Sequence, residues 1–139
     1  MIQRRVLIVD DTPATVDLAS FVLNAAGFAV QSATDVDSLI PQLPLFKPDL
    51  ILMDIQMPGI DGLEMTRRLK AAPETRHILV VAFTAFAMSG DETKMRAAGC
   101  DGYIAKPFDV ATFAETVRSY FPLRTAISCA MQPIGLPLR

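Results

Sequence analysis

The chain has 139 residues, 51% hydrophobic and 20% charged, with a formal net charge of −2. That composition suits one globular domain with a substantial core and excludes an intrinsically disordered chain. The small charge, with no basic run, gives no reason for direct binding to nucleic acid or an anionic membrane, and no apolar stretch is long enough for a bilayer span or a signal sequence.

In chain order, Val6-Leu7-Ile8-Val9 is a continuous apolar run that stops at Asp10-Asp11. Continuous rather than alternating runs suit strands covered on both faces of a parallel sheet. Thr12-Pro13 then supplies a cap with proline at the first helical position, opening a helix over Val16, Ala19, Phe21, Val22 and Leu23 that stops at Gly27. Phe28-Ala29-Val30 predicts a second strand. A second helix is predicted from near Asp35 to just before Pro44, weakened at Pro41. Leu50-Ile51-Leu52-Met53 predicts a third strand ending on Asp54, and a helix follows from about Leu63 to Ala72, halted by Pro73. The run at 78–83 predicts a fourth strand ending on Thr84, with a helix from about Ala87 to Ala98 stopped by Gly99. Tyr103-Ile104-Ala105 predicts the last strand, ending on Lys106. After Pro107-Phe108-Asp109 a fifth helix carries Val110, Phe113, Ala114 and Val117 toward Phe121.

Residues 1–122 are therefore read as one domain. Residues 123–139 lose the periodicity, contain Pro133 and Pro137 and carry only Arg124 and Arg139 as charges. They are expected to form a flexible C-terminal tail with no effector domain. Cys100 and Cys129 form no metal-ligand or redox motif and are expected to be reduced thiols of a cytoplasmic protein.

Five strands alternating with five helices predict an α/β domain with a doubly wound, five-stranded parallel sheet. Right-handed crossovers line up the carboxyl ends of the strands, and ligands of such folds bind just outside those ends, where strand order reverses. Asp10, Asp11, Asp54, Thr84 and Lys106 all fall there. Three converging carboxylates repel unless a cation joins them, and a hard divalent ion with oxygen ligands, Mg2+ above all, meets that need. An aspartate can attack phosphorus and form an aspartyl phosphate, and Asp54 is the candidate nucleophile. Phosphoryl transfer needs positive charge and hydrogen-bond donors around the equatorial oxygens, which Lys106, Thr84 and the Ala85 amide would supply. Any one of these residues alone reads as a helix cap, a strand-end threonine or a surface lysine; their joint placement favours the site.

The pattern Asp10-Asp11, Asp54 with Pro58-Gly59, Thr84-Ala85 and Lys106-Pro107 resembles the receiver domain of two-component response regulators. The resemblance covers about residues 4–121. Thr84-Ala85-Phe86-Ala87-Met88 and Gly99-Cys100-Asp101-Gly102-Tyr103-Ile104 are most similar to stand-alone cell-cycle receivers, and also resemble receivers fused to diguanylate cyclases. The resemblance implies a flavodoxin-like fold with strand order 2-1-3-4-5. It implies a phosphorylation-activated switch that catalyses only its own phosphorylation and dephosphorylation. Asp54 would be the phosphoacceptor, and Asp11, Asp54 and the backbone carbonyl of Gln56 would bind Mg2+ directly, with Asp10 acting through water and Mn2+ as a substitute. Thr84 and Lys106 would hold the phosphoryl oxygens across a cis Lys106–Pro107 bond. Thr84 and Tyr103 would form the switch, and Gln56 and Phe86 would tune the lifetime of the phosphoryl group, the bulky Phe86 by shielding it. The implied partners are a sensor histidine kinase or histidine phosphotransfer protein, and a downstream protein on the face of the fourth helix, last strand and fifth helix.

Two other readings are open to the residues. A Mg2+-dependent phosphatase of the haloacid-dehalogenase type would use an aspartyl nucleophile, but wants a second aspartate two residues on, where this chain has Gln56. A binding-only adaptor would not need the full set of site residues. His77, the sole histidine, precedes the fourth strand at the end remote from the site and reads as a surface residue. Met53, Met57, Met65, Met88 and Met95 read as packing.

Overall fold

The computed structural model describes residues 3–57, 60–85 and 91–121, and the side chains of Val36, Gln56, Met57, Ile60 and Asp91 fall outside that description. Five strands, β1 (Arg5–Val9), β2 (Ala29–Ala33), β3 (Leu50–Met53), β6 (Leu79–Thr84) and β7 (Gly102–Ala105), form a parallel sheet in the order β2-β1-β3-β6-β7. Counting only these strands, the order is 2-1-3-4-5, as the resemblance implied. A small antiparallel pair, β4 (Gln56–Met57) and β5 (Ile60–Asp61), stands apart from the sheet. The helices are α1 (Pro13–Ala25), α2 (Val36–Phe46), α3 (Gly62–Ala71), α4 (Asp91–Ala98) and α5 (Phe113–Arg118).

Val6 to Val9 of β1 and all of β3 are fully buried, which is why these strands read as unbroken apolar runs. Alternation along each strand divides the core in two. Leu7, Val9, Ile51, Met53, Val80 and Ala82 face the α2, α3 and α4 side. Val6, Ile8, Leu50, Leu52, Val81 and Phe83 face the α1 and α5 side. Met53, Met65 and Met95 are core residues as expected, and His77 is exposed.

Two helices depart from expectation. α2 was predicted to stop before Pro44, yet it continues through Pro41 and Pro44 to Phe46. Each proline removes one i→i−4 bond and costs about 3 kcal/mol in a helix interior. Two features offset that cost. Asp35 and Ser38 form a reciprocal capping box, with the Ser38 N–H donating to Asp35 Oδ1 at 2.8 Å. On the inner face Leu39, Leu43 and Phe46, at i, i+4 and i+7, pack on the core. Lys47, in the left-handed conformation with φ 54°, then ends the helix. α5 was predicted to follow Asp109 directly, but begins at Phe113. Asp109 instead builds a turn: its Oδ1 accepts from the Ala111 N–H at 2.9 Å, and its carbonyl accepts from Thr112 and Phe113.

At the end of the sheet remote from Asp54, Lys70 of α3 reaches the Ile78 carbonyl (2.7 Å) and Asp101 Oδ2 (2.9 Å), and that oxygen also accepts the Val80 N–H at 2.8 Å. One lysine thereby ties α3 to the starts of β6 and β7. Among the described residues, no helix is long and apolar enough to cross a membrane.

Candidate functional site

Because β1, β3, β6 and β7 are consecutive neighbours in register, their carboxyl ends form one edge. Asp10 follows β1, Asp54 follows β3, Thr84 ends β6 and Lys106 follows β7. The residues singled out in the sequence are thus brought together by the sheet and by the parallel direction of its strands.

Asp10 and Thr84 are buried, Asp54 is 5% exposed, and Asp11 is exposed at the rim. One carboxylate oxygen from each of Asp10, Asp11 and Asp54 lies within 4.8 Å of the others. Octahedral Mg2+ binds oxygens at about 2.1 Å and so holds them roughly 3–4 Å apart, retaining several waters. Three all-oxygen donors at this separation fit such an ion.

Asp10 has two further partners. Its Oδ1 accepts the Thr12 N–H at 2.9 Å and its Oδ2 accepts from Lys106 Nζ at 2.7 Å. The sequence suggested that Thr12-Pro13 caps α1. Pro13 does occupy the first turn, but the Thr12 side chain makes no cap bond. The entry to α1 is closed by Asp10 instead, whose oxygen binds the Thr12 N–H, so one carboxylate both shapes the turn and faces the pocket.

Lys106 is held on several sides. Its Nζ stands 3.5 Å from Asp54 Oδ2, and 5.0 Å from the centroid of the Phe83 ring. Its backbone N–H donates to the Thr84 carbonyl at 2.8 Å, and the Lys106–Pro107 bond is cis. One ammonium against three carboxylates leaves an excess of negative charge in a largely dry pocket, which favours binding of a cation.

Gly62, which the sequence reading passed over, packs against the loop that carries Asp54. A Cβ at Gly62 would stand 2.5 Å from the Asp54 carbonyl oxygen and 2.9 Å from Ile55 Cα. The first turn of α3 therefore packs directly beneath the loop that presents Asp54. Asp61 caps that turn, its Oδ1 accepting the Leu63 N–H at 2.9 Å. The Asp61-Gly62 dipeptide was the available signal, as a turn residue pair ahead of a helical pattern.

Tyr103 lies on β7 and is 37% exposed. Its carbonyl accepts from the Tyr120 hydroxyl at 3.2 Å, and the Tyr120 ring lies against Gly102 so closely that a Cβ there would overlap it. Burial pushes the Tyr120 phenol above its ordinary pKa. The Gln56 backbone begins β4, two residues past Asp54. Pro58, Gly59, Phe86 and the tail from residue 122 lie outside the described residues, as does the Gln56 side chain.

Residues 6–118 match the family described as the response regulator receiver domain. The polar-differentiation response regulator DivK of Brucella anthropi is 43% identical over 117 residues, covering 84% of this chain and 95% of that protein. DivK of Brucella ovis is 43% identical over 118 residues, with the same shares covered. A response regulator from Thermotoga maritima superposes with a TM-score of 0.78 at 25% identity, over 86% of this chain and 98% of that one. The chemotaxis protein CheY4 of Vibrio cholerae superposes with a TM-score of 0.81 at 23% identity, over 86% and 100% of the two chains, and shares the fold.

Proposed function

Since the chain belongs to the response regulator receiver domain family, whose members are phosphorylation-activated switches of two-component signalling, we propose that Asp54 is its phosphoacceptor. An Asp54 carboxylate oxygen attacks the phosphorus of a phosphohistidine on a histidine kinase or phosphotransfer protein. The P–O bond of an aspartyl phosphate forms as the P–N bond breaks, and the imidazole leaves. Asp10, Asp11, Asp54 and the Gln56 carbonyl would hold Mg2+, which when bound neutralises charge on the incoming phosphoryl group.

The chain's own groups do the rest. Lys106 is the positive charge beside Asp54 and takes a phosphoryl oxygen. The Thr84 hydroxyl and the Ala85 N–H are donors for the others. Movement of Thr84 toward the phosphoryl group opens space into which Tyr103 turns, and the phosphorylated form favours that arrangement over the exposed one. The output face is α4, β7 and α5, where Tyr103 is 37% exposed. Output is a change in protein–protein contact rather than direct nucleic-acid binding. The receiver unit spans residues 1–122, with 123–139 as an appended tail, and the protein acts in the cytoplasm.

The input face follows from α1, which starts beside the carboxylates. Ala14, Leu18, Phe21 and Ala25, at i, i+4, i+7 and i+11, form one stripe, all exposed, with Leu18 at 44% and Phe21 at 71%. An apolar stripe leading to the pocket rim suits docking of a helical phosphodonor that must bring its histidine to Asp54.

The observation that carries this reading is the convergence of three carboxylate oxygens within 4.8 Å, with Lys106 Nζ 2.7 Å from Asp10 and 3.5 Å from Asp54. Its test is labelling with radioactive acetyl phosphate in Mg2+. The wild-type chain takes up one phosphoryl group per molecule, and Asp54→Ala takes up none. Undiminished labelling of Asp54→Ala would overturn the assignment.

A further inference from the structure

Lys106 carries its charge at the tip of a flexible four-carbon stem, set among carboxylates that offer it more than one resting place. In the structure Nζ is closer to Asp10 Oδ2 (2.7 Å) than to Asp54 Oδ2 (3.5 Å). Phosphoryl transfer needs the ammonium beside Asp54, where negative charge collects as the group arrives. Attraction to carboxylates alone does not select that place.

Phe83 supplies a restraint of another kind. Its ring centroid is 5.0 Å from Nζ, within the range at which the face of an aromatic ring attracts a cation. The ring has no room to retreat. It is fully buried, with the Phe108 and Phe113 centroids at 5.7 and 5.8 Å, and those two rings stack on each other at 4.1 Å. Alternation along β6 places Phe83 on the α1 and α5 side and its neighbour Ala82 on the other. Thr84, in phase with Ala82, belongs to that other side. The lysine and the threonine are therefore supported from opposite faces of the sheet.

We propose that Phe83 is a positioning residue for phosphoryl transfer, its ring face forming a neutral wall that holds the Lys106 ammonium within reach of Asp54. The inference rests on Lys106 being the phosphoryl-binding lysine. A ring attracts through its quadrupole and carries no net charge, so it steadies the ammonium without neutralising the charge that the phosphoryl group needs. A leucine or methionine would fill much of the same space and remove that attraction.

The test is a double-mutant cycle on the full chain: wild type, Phe83→Leu, Lys106→Met and the pair together. Each is phosphorylated by acetyl phosphate at saturating Mg2+, with thermal unfolding recorded in parallel. Phe83→Leu alone is expected to slow phosphorylation about tenfold, the rate equivalent of a desolvated cation–ring contact. In the Lys106→Met background it should slow it no further. In the wild type, ring current shifts the Lys106 Cε protons upfield in the NMR spectrum, and Phe83→Leu abolishes that shift. Equal slowing in both backgrounds, or none in either, overturns the inference and leaves Phe83 a packing residue. A Lys106→Met chain phosphorylated at the wild-type rate instead overturns the lysine assignment on which the inference stands. If Phe83→Leu does not fold, Phe83→Met completes the same cycle, its unbranched side chain refilling the cavity.

Discussion

Gly62 shows how little space separates chemistry from packing here. Its backbone is an ordinary helix start, with no left-handed conformation to require glycine, so the demand is for the absent Cβ alone. Gly62→Ala would put a methyl 2.5 Å from the Asp54 carbonyl oxygen, and both contacting atoms are backbone, with no rotamer to yield. Either α3 moves away or the Asp54 loop does. Overpacking of this kind costs about 1–3 kcal/mol. Urea unfolding of Gly62→Ala should give that loss in stability, and Mg2+ titration should show weaker binding because the loop carrying Asp54 has shifted. Unchanged Mg2+ affinity would mean that α3 alone gives way. Asp10, Asp54, Thr84 and Lys106 were legible in the sequence because each is a polar residue that ends an apolar run. The roles of Gly62 and Phe83 were not, since one depends on how closely α3 approaches the Asp54 loop and the other on the distance to Lys106, which only the folded chain sets.

Among the elements, α1 and α2 make opposite points. In α2 the two prolines argued for an early end, and tertiary packing of Leu39, Leu43 and Phe46 overrode the local penalty. Periodicity with an interrupted donor ladder cannot reveal that; only the partner surface can. In α1 the inner face, with Ala19 and Leu23 buried, was legible as core spacing, whereas the stripe through Leu18 and Phe21 is left exposed by the described residues. An apolar stripe left to solvent does nothing for the stability of the isolated domain, so its removal separates docking from chemistry. Phe21→Ala is expected to slow phosphoryl transfer from a histidine-phosphorylated protein donor by about tenfold, the usual cost of removing an interface anchor. Phosphorylation by acetyl phosphate, which needs no docking helix, should proceed at the wild-type rate. Slowing of both reactions alike would place Phe21 in the folding of α1 rather than in recognition.

For the molecule as a whole, a doubly wound parallel sheet was available before any coordinates, because strands alternating with helices admit few topologies, whereas the strand order was implied by the family resemblance. The position of an apolar cleft away from the site was not. A cleft of about 590 Å3 between α2 and α3, lined by Ile40, Leu43, Met65 and Leu69 among others, holds none of the carboxylates. The candidate site is instead an acidic edge of the sheet in which Asp10 and Asp54 are buried, and its energetic signature is electrostatic. Folding gathers Asp10, Asp11 and Asp54 against one ammonium, so the metal-free protein carries like-charge repulsion that the unfolded chain does not. A cation that binds only the folded form reverses this, adding about 2.7 kcal/mol of stability at a free concentration a hundred times its Kd. Asp11 is the carboxylate with which to separate the two effects. It is exposed, whereas Asp10 and Asp54 form the ion pairs with Lys106. Asp11→Asn should therefore raise Tm without metal by relieving repulsion, and should flatten the rise in Tm that Mg2+ produces in the wild type. Thermal unfolding across a Mg2+ series measures both. A variant less stable than wild type without metal would show that Asp11 contributes to the fold through contacts other than charge, and an undiminished response to Mg2+ would remove it from the metal site.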